Sequence, residues 1–409
     1  MPDLPSVAQR FLRYVRFDTQ SDPNSETYPS TEKQKALLEA LKGELLELGL
    51  TDAYMDEHGY VSATLPPNVP NVPSIGLIAH VDTSPDVSGA NVNPLTHPNY
   101  QGGPLTLGNR TLTAELSLPL KDHVGHTIIT SDGSTLLGAD DKAGIAEIVA
   151  TLEVLKANPS IPHGPIKIAL TPDEEIGTGT KFFDIARFGA QYAYTVDGGP
   201  VGEIDNETFC ADSAMVNFKG INVHPGVAKD RMVSAIKAAS RFVELLPHHM
   251  SPEETDGKQG YLHPNSFAGS VEMVSLHLIL RDFEEAQLKA QRAILEDIKK
   301  VVTLSFPKVE IEISTSETYR NMGSVLAKYP LVVDNALEAA RRAGLQPILK
   351  AIRGGTDGAL LSYKGIPTPN LFTGGYLFHS YYEWISVEDM EKTVQTLCHL
   401  VEVWTEKPA

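Results

Sequence analysis

Cysteine is scarce in this chain of 409 residues, which contains only Cys210 and Cys398. Two cysteines exclude both a disulfide framework and a cysteine-rich zinc site. Long apolar runs are also missing, since no stretch approaches the roughly 18–20 residues that span a bilayer. The first five residues lack the basic start and the apolar core of a secretory signal. We therefore expect a soluble cytoplasmic protein with no membrane partner.

Positive charge is in short supply, because 34 Lys and Arg residues face 52 Asp and Glu residues and leave a net charge of −18. Such a surface repels nucleic acid and anionic lipid, which argues against a non-specific nucleic-acid binder. The hydrophobic fraction of 42% is ordinary for a globular protein and excludes a disordered chain, a collagen and a coiled coil. Most of the excess carboxylates serve solubility, and a few are candidates to bind a cation.

Apolar runs typical of strands are followed at once by a histidine or a carboxylate. The runs are 75–79 before His80 and Asp82, 135–139 before Asp140, 166–170 before Asp173–Glu175, 192–196 before Asp197, and 369–372, which leads through two glycines to His379. Alternation of these runs with helical stretches predicts an α/β fold with a mixed, partly parallel sheet. In such sheets ligands bind beyond the carboxyl ends of the strands, where these side chains fall.

The middle of the chain has a different pattern. Its predicted elements are a strand near 215–223, a helix at 232–246, strands within 260–282, a helix at 284–302 and a strand at 309–313. This β-α-β-β-α-β order is typical of a ferredoxin-like α+β module. We expect it as an insertion at 212–320, which divides a catalytic domain into residues 1–211 and 321–409.

The residues that follow the runs form a donor set without thiolate. The five candidate ligands are His80, Asp140, Glu175, Asp197 and His379. Nitrogen and oxygen donors together suit zinc, cobalt or manganese, whereas calcium prefers oxygen alone. Five ligands exceed the need of one tetrahedral ion and would suffice for two if one carboxylate bridges them. Two such ions can hold a water and polarise a carbonyl.

Two further carboxylates have candidate roles beside the ligands. Asp82 lies two residues beyond His80 and could fix the tautomer of that imidazole by a hydrogen bond. Glu174 adjoins Glu175, and adjacent side chains point in different directions, so one could ligate while the other acts as general base. Taken singly, Asp140 is also a typical helix N-cap, and the acidic run 173–175 is also typical of a solvated loop.

Seven segments around these residues carry a family resemblance. They are 80–86 (HVDTSPD), 136–146 (LLGADDKAGIA), 171–177 (TPDEEIG), 194–199 (YTVDGG), 222–226 (NVHPG), 353–358 (RGGTDG) and 369–375 (PNLFTGG). They resemble the family of zinc-dependent aminoacylases, dipeptidases and carboxypeptidases over nearly the whole chain. The sequences of the first and sixth segments are similar to those of the tripeptide aminopeptidases in this family.

The resemblance implies a role for each candidate. His80 and Asp197 would hold one zinc ion, Glu175 and His379 the other, and Asp140 would bridge them. Glu174 would be the general base and Asp82 would orient His80. The inserted module would act as a lid and form a homodimer interface.

Three residues outside the metal ligands are candidates for substrate contact. The resemblance implies that His224 reaches the active site of a partner subunit and stabilises the oxyanion; by itself it is also typical of a turn before Pro225. Arg353 precedes two glycines and could hold a peptide carboxylate bidentately. Arg281 is the rival for that role, or a structural partner of Asp282. No residue is identified as the anchor of the substrate amine, and Asp173 and Asp357 are guesses.

We therefore expect a metalloaminopeptidase that releases the first residue of unblocked tripeptides. A dizinc-bound water would attack the peptide carbonyl, with cobalt or manganese as possible substitutes for zinc. Two alternatives stay open on the same scaffold: an N-acyl amino acid amidohydrolase or carboxypeptidase, and, more remotely, a non-catalytic metal-binding protein.

Overall fold

A computed structural model describes residues 4–406 and divides the chain into two compact units. The first contains the described residues up to Asn206 together with Met322–Lys350 and the described residues from Thr356 onward. The second contains Glu207–Asn321 and Ala351–Gly355. Within residues 4–406, no helix combines the length and the apolar character needed to cross a membrane.

The helices and strands follow one another in a mixed order along the chain. The α-helices are α1 Ser6–Tyr14, α2 Gln34–Glu47, α3 Ala139–Ala157, α4 Ile185–Phe188, α5 Ala235–Glu244, α6 Glu285–Ser305, α7 Gly323–Leu326, α8 Pro330–Arg342, α9 Asp357–Tyr363 and α10 Val387–Glu406. Short 3-10 segments lie at Leu118–His123, Pro225–Val227, His248–Met250 and Pro252–Glu254. The strands are β1 Tyr54–Met55, β2 Val61–Leu65, β3 Ile75–His80, β4 Leu95–His97, β5 Leu105–Leu107, β6 Arg110–Leu112, β7 Ile128–Thr130, β8 Ile166–Thr171, β9 Tyr192–Gly198, β10 Glu203–Thr208, β11 Cys210–Lys219, β12 Tyr261–Gly269, β13 Met273–Asp282, β14 Glu310–Tyr319, β15 Ile348–Ile352, β16 Asn370–Phe372, β17 Gly375–Tyr376 and β18 Trp384–Ser386.

An eight-stranded mixed sheet organises the first unit, in the order β1-β2-β8-β3-β9-β16-β10-β15. The central strands β8, β3, β9 and β16 run parallel to one another, whereas β2 pairs antiparallel with β8 and β10 pairs antiparallel with β16. The prediction of a mixed α/β sheet is therefore confirmed. Because parallel strands point the same way, the residues at the ends of β8, β3 and β9 share one edge of the sheet.

Both faces of this sheet are covered. Successive side chains of a strand point to opposite faces, so Leu77 of β3 joins the core beneath α1, α3 and α10, and Ile78 joins a smaller cluster with Phe188 and Leu361. All six residues of β3 are buried in consequence. Burial on both faces accounts for the continuous apolar runs in the sequence.

The second unit contains a four-stranded antiparallel sheet in the order β12-β13-β11-β14. Along the chain its elements read β11-α5-β12-β13-α6-β14, so the predicted ferredoxin-like order is confirmed. On the packed face Phe218 lies opposite Val274 and Ile311 and contributes to a buried cluster with residues of α5 and α6. The predicted helix at 232–246 is shorter than expected, because Ser234 caps α5 by accepting a hydrogen bond from Lys237 N.

A buried carboxylate organises the polar part of this unit. Asp212 is completely buried on β11, and its two oxygens lie 2.9 Å from Arg320 Nη1 and 3.0 Å from Arg292 Nη1. Arg320 is itself 7% exposed, so removal of Asp212 would leave its buried guanidinium to the largely exposed carboxylates of Glu317 and Glu285.

Candidate active site

Three neighbouring strands deliver functional side chains to one edge of the large sheet. His80 is the last residue of β3, Asp197 lies in β9, and Glu174 and Glu175 follow β8 by three and four residues. Between β8 and the glutamates, Asp173 has a φ of 59°. This left-handed conformation turns the chain at once, so the two glutamates stay at the edge instead of continuing the strand.

His80, Asp140 and Asp197 form one group of potential ligands. His80 Nε2 lies 2.9 Å from Asp140 Oδ1 and 3.3 Å from Asp197 Oδ1. The three ligand atoms lie within 4.8 Å of one another, so a single metal ion could contact all of them.

Asp140, Glu175 and His379 form a second group, which shares Asp140 with the first. His379 Nε2 lies 2.9 Å from Glu175 Oε2 and 3.2 Å from Asp140 Oδ2, and these atoms also fall within 4.8 Å of one another. The two oxygens of Asp140 therefore face different groups. His379 has a φ of 57°, a costly conformation for a residue other than glycine that is found preferentially at functional sites.

The run before Asp140 is not a strand, so that part of the sequence prediction is wrong. Residues 135–138 form no regular element, and Asp140 lies in the first turn of α3. Gly138 has a φ of 83°, and this left-handed conformation is incompatible with an extended strand. Asp141 accepts hydrogen bonds from the backbone N–H groups of His80 and Gly144, which ties the start of α3 to the end of β3.

Asp82 connects the histidine to the glutamate pair. It is completely buried, and its Oδ1 lies 3.3 Å from His80 Nδ1. The same oxygen accepts a hydrogen bond from Glu174 N at 3.0 Å, and Oδ2 accepts one from Glu175 N at 3.2 Å. The backbone carbonyl of Asp82 is the hydrogen-bond partner of His80 Nδ1 at 3.0 Å, and its carboxylate positions the backbone of both glutamates.

Glu174 lies apart from the two groups but beside them. It lines a small cavity with His80, Asp197 and Asp357, and its Oε1 accepts a hydrogen bond from Asp357 N at 3.3 Å. Burial, and then the neighbouring charge of Asp197, raise the pKa of Glu174 well above its usual range. A carboxylate with a raised pKa is a better proton acceptor than an ordinary one.

The ligand groups are crowded with negative charge. Burial, and then the charge of Asp140, raise the pKa of Glu175 to about 8, and burial raises the pKa of Asp197 to about 6. Burial disfavours protonation of His379, but hydrogen bonds to Asp140 and Glu175 outweigh it and raise its pKa to about 11. The arrangement of carboxylates therefore favours a positive charge placed between them, either a proton or a cation.

The comparisons with known proteins agree with this chemistry. Residues 130–403 match the model described as "Peptidase family M20/M25/M40". The chain belongs to this peptidase family. A peptidase T from Geobacillus kaustophilus (strain HTA426) and one from Vibrio cholerae serotype O1 are each 47% identical over 405 residues, which cover 98% of both chains. The family resemblance read from the motifs is confirmed, and the M20 chain is a hydrolase of the metallo-aminopeptidase class.

Solved structures of M20 relatives have the same fold. The crystal structure of aminopeptidase PepT from Bacillus cereus ATCC 10987 matches with a TM-score of 0.75 at 25% identity and covers 98% of each chain. A tripeptidase from Staphylococcus aureus matches with a TM-score of 0.78 at 23% identity, again over 98% of each chain. A Bacillus subtilis protein described as a dinuclear metal binding peptidase from the M20 family matches with a TM-score of 0.64 at 16% identity, over 98% of each chain.

Three predicted site residues lie in the second unit of this M20 chain. His224 is exposed, and its Nδ1 accepts a hydrogen bond from Gly226 N. Arg353 Nη1 donates to the carbonyls of Gly257 and Gln259 at 3.0 and 2.7 Å, and its Nη2 donates to Thr255 Oγ1 at 3.0 Å.

Arg281 and the two candidates for binding the substrate amine, Asp173 and Asp357, also have defined hydrogen-bond partners. Arg281 Nη1 donates to the carbonyls of Asp212 and Leu280. The carboxylate of Asp173 accepts hydrogen bonds from Ser30 and Gln34. Its oxygens are therefore already used by hydrogen bonds within the first unit. Asp357 is buried, and its Oδ2 accepts a hydrogen bond from Thr171 Oγ1 at 3.2 Å.

Sequence reasoning missed Glu383, which holds the segment leading to Asp140. Glu383 is 1% exposed; its Oε2 accepts hydrogen bonds from the N–H groups of Leu137 and Gly138, and its Oε1 accepts one from Asp140 N. The only signal in the sequence was a single carboxylate within the apolar run 381–385. Buried carboxylates need partners, so such a residue points to a structural or functional contact.

Proposed function

We propose that this chain is a tripeptide aminopeptidase that works with two divalent metal ions. The observation that carries the proposal is the division of Asp140 between two ligand groups, with one carboxylate oxygen facing each. His80 and Asp197 would hold one ion, Glu175 and His379 the other, and Asp140 would bridge them. Zinc is the metal that we propose, with cobalt or manganese as substitutes of similar ligand preference.

The donor set fits such ions. Glu175 Oε1 is buried without a hydrogen-bond partner among the described residues, which leaves it open to a cation. Buried carboxylates in mutual proximity need positive charge to stay ionised, and two dications would supply it. The tripeptidase and peptidase T relatives support the choice of substrate class.

Glu174 is the proposed general base. Two bound ions would lower the pKa of a water and polarise the peptide carbonyl. Glu174 would take the proton of the attacking water as the carbon–oxygen bond forms. It would then deliver that proton to the leaving nitrogen as the carbon–nitrogen bond breaks, which releases the first amino acid and a dipeptide.

The second unit completes the proposal. We propose that residues 212–320 form the lid and the homodimer interface, and that His224 of one subunit serves the site of its partner by stabilising the oxyanion. For the substrate carboxylate we propose Arg353 and Arg281. The contacts favour Arg281. Both Nη atoms of Arg353 already donate hydrogen bonds to the segment 255–259, whereas the hydrogen bonds from Arg281 to backbone carbonyls come from one nitrogen, Nη1.

The test follows hydrolysis of an unblocked tripeptide by mass spectrometry, beside its N-acetylated form, its C-amidated form and the matching dipeptide. We expect rapid cleavage of the free tripeptide alone, with loss of activity after metal removal and recovery when zinc returns. Glu174→Gln should lower kcat by about 10²–10⁴ while the bound metal stays unchanged, because the variant removes only the proton carrier.

Other outcomes would select the alternatives. Preference for the acetylated peptide would favour an N-acyl amino acid amidohydrolase, and release of the last residue would favour a carboxypeptidase. No cleavage with zinc, cobalt or manganese would favour a non-catalytic metal-binding protein. Full activity of Glu174→Gln would refute the role of Glu174 but not the substrate.

A further inference from the structure

A second cluster of metal-ligating side chains lies within the first unit, outside the candidate active site. It consists of His123, His126 and Asp389, whose ligand atoms lie within 4.8 Å of one another. His123 ends the 3-10 segment Leu118–His123, His126 follows three residues later, and Asp389 lies in the first turn of α10. None of the three belongs to the ligand set proposed for the peptidase.

The hydrogen bonds of His123 call for a cation. Its Nδ1 lies 2.7 Å from the carbonyl oxygen of Pro119, so Nδ1 carries a hydrogen and donates it. In the neutral ring Nε2 then presents a lone pair, and it lies 2.7 Å from Asp389 Oδ2. Two acceptors at this distance repel unless a proton or a metal ion lies between them.

His126 lies beside this pair and adds a third potential ligand. Its Nδ1 lies 4.0 Å from Asp389 Oδ1, which is too long for a hydrogen bond, and 2.7 Å from Ser386 Oγ, its present hydrogen-bond partner. Ligand atoms about 2.0–2.1 Å from a shared tetrahedral zinc ion lie about 3.3–3.4 Å apart, so His126 Nδ1 and Asp389 Oδ1 would have to approach each other by about 0.6 Å. The His123–Asp389 contact would have to open by about 0.6–0.7 Å to fit the same geometry.

The surroundings supply the other requirements of a metal site. The Pro119 carbonyl fixes the tautomer of His123 in the way typical of metal-bound histidines. The rings of Trp384 and Tyr376 pack edge-on against His123 at 5.0 and 5.4 Å and shield it from water. On the partly exposed side, Glu388 Oε2 lies 3.8 Å from His126 Nδ1 and offers a fourth ligand, although it also accepts a hydrogen bond from Thr127 N.

We propose that His123, His126 and Asp389 bind one zinc-type divalent ion, with Glu388 or water as the fourth ligand. The ion would join the segment 118–126 to the start of α10 and thus have a structural role. Ser386 Oγ lies 2.7 Å from His126 Nδ1 and would give up this hydrogen bond to the metal.

The test counts metal in a variant whose main site is disabled. Asp140→Ala removes the ligand shared by both groups of the main site and should abolish tight binding there, so the metal that a further His126→Ala change removes reports on the second cluster. After zinc loading and exhaustive dialysis, we expect one ion per chain by mass spectrometry of the metal content. The double variant Asp140→Ala/His126→Ala should retain none. His399→Ala in the same background is the control, because His399 lies on α10 but pairs with Glu402.

A cobalt spectrum gives an independent readout. Cobalt loading of the Asp140→Ala variant should produce a visible absorption band typical of four-coordinate cobalt, and His126→Ala should abolish it. Thermal melting of each variant verifies that the chain is folded; His126 is partly exposed, so its loss should leave the core intact. Absence of retained metal, or metal that His126→Ala does not remove, would overturn the proposal and leave a protonated His123–Asp389 pair. Neither result depends on whether tripeptides are cleaved.

Discussion

Gly144 offers a sharp test of how the fold positions the proposed ligands. A Cβ atom at Gly144 would lie 1.8 Å from the carbonyl oxygen of Val196 and 2.5 Å from Asp141 Oδ1. Real Cβ contacts essentially never fall below 3.0 Å, so α3 and β9 would have to separate by about 1.2 Å in Gly144→Ala. Val196 directly precedes Asp197 on β9, and Asp140 lies four residues before Gly144 on α3.

The expected effect on metal binding is large because metal–ligand distances tolerate deviations of only about 0.2 Å. We expect Gly144→Ala to lose the ion that we propose for His80, Asp140 and Asp197. The overpacking should lower the free energy of unfolding by about 1–3 kcal/mol, offset in part by about 1 kcal/mol because alanine favours helix.

Metal content after zinc loading and urea unfolding measure the two effects. Gly43→Ala is the matched control: Gly43 lies inside α2, and a Cβ atom added there would meet nothing within 4 Å among the described residues other than its chain neighbours and the backbone of its own helix. That variant should bind metal normally and gain up to about 1 kcal/mol in stability. Normal metal content and unchanged stability in Gly144→Ala would refute the argument that close α3–β9 packing sets the ligand geometry.

Three further predictions concern buried charges. Asp82→Asn should weaken metal binding by about 10–100-fold in competition with a chelator, because one amide oxygen cannot serve both glutamate N–H groups; unchanged affinity would contradict this role. Burial lowers the pKa of Lys142 to about 8 from an ordinary 10.5, so the unfolded chain holds the extra proton between these values and stability should rise with pH there. Urea unfolding should show that Lys142→Met lacks this rise, of about 1.4 kcal/mol per pH unit. Asp212→Ala should lower the free energy of unfolding of the second unit by about 3–5 kcal/mol, whereas loss of the exposed Glu296 should have little effect.

Local patterns predicted much of the fold because they reflect local physics. Mostly apolar runs predicted β3, β8 and β9, since strands buried on both faces need apolar side chains at most positions. The same rule failed at 135–139, where a glycine with positive φ turns an apolar run into a loop. Apolar content alone does not separate a buried strand from a buried loop.

The sequence by itself determined which side chains have the chemistry and that they follow strands or begin a helix. It did not determine which of them meet, since that depends on the order β8-β3-β9 and on contacts between distant residues. Asp140 meets His379 across 239 positions, and Glu383 accepts its hydrogen bond from Asp140 N across 243. The engagement of Arg353 with backbone carbonyls and the meeting of His123 with Asp389 are likewise tertiary results. Side-chain pairing over such separations is set by how the elements pack, and packing is a property of the whole chain.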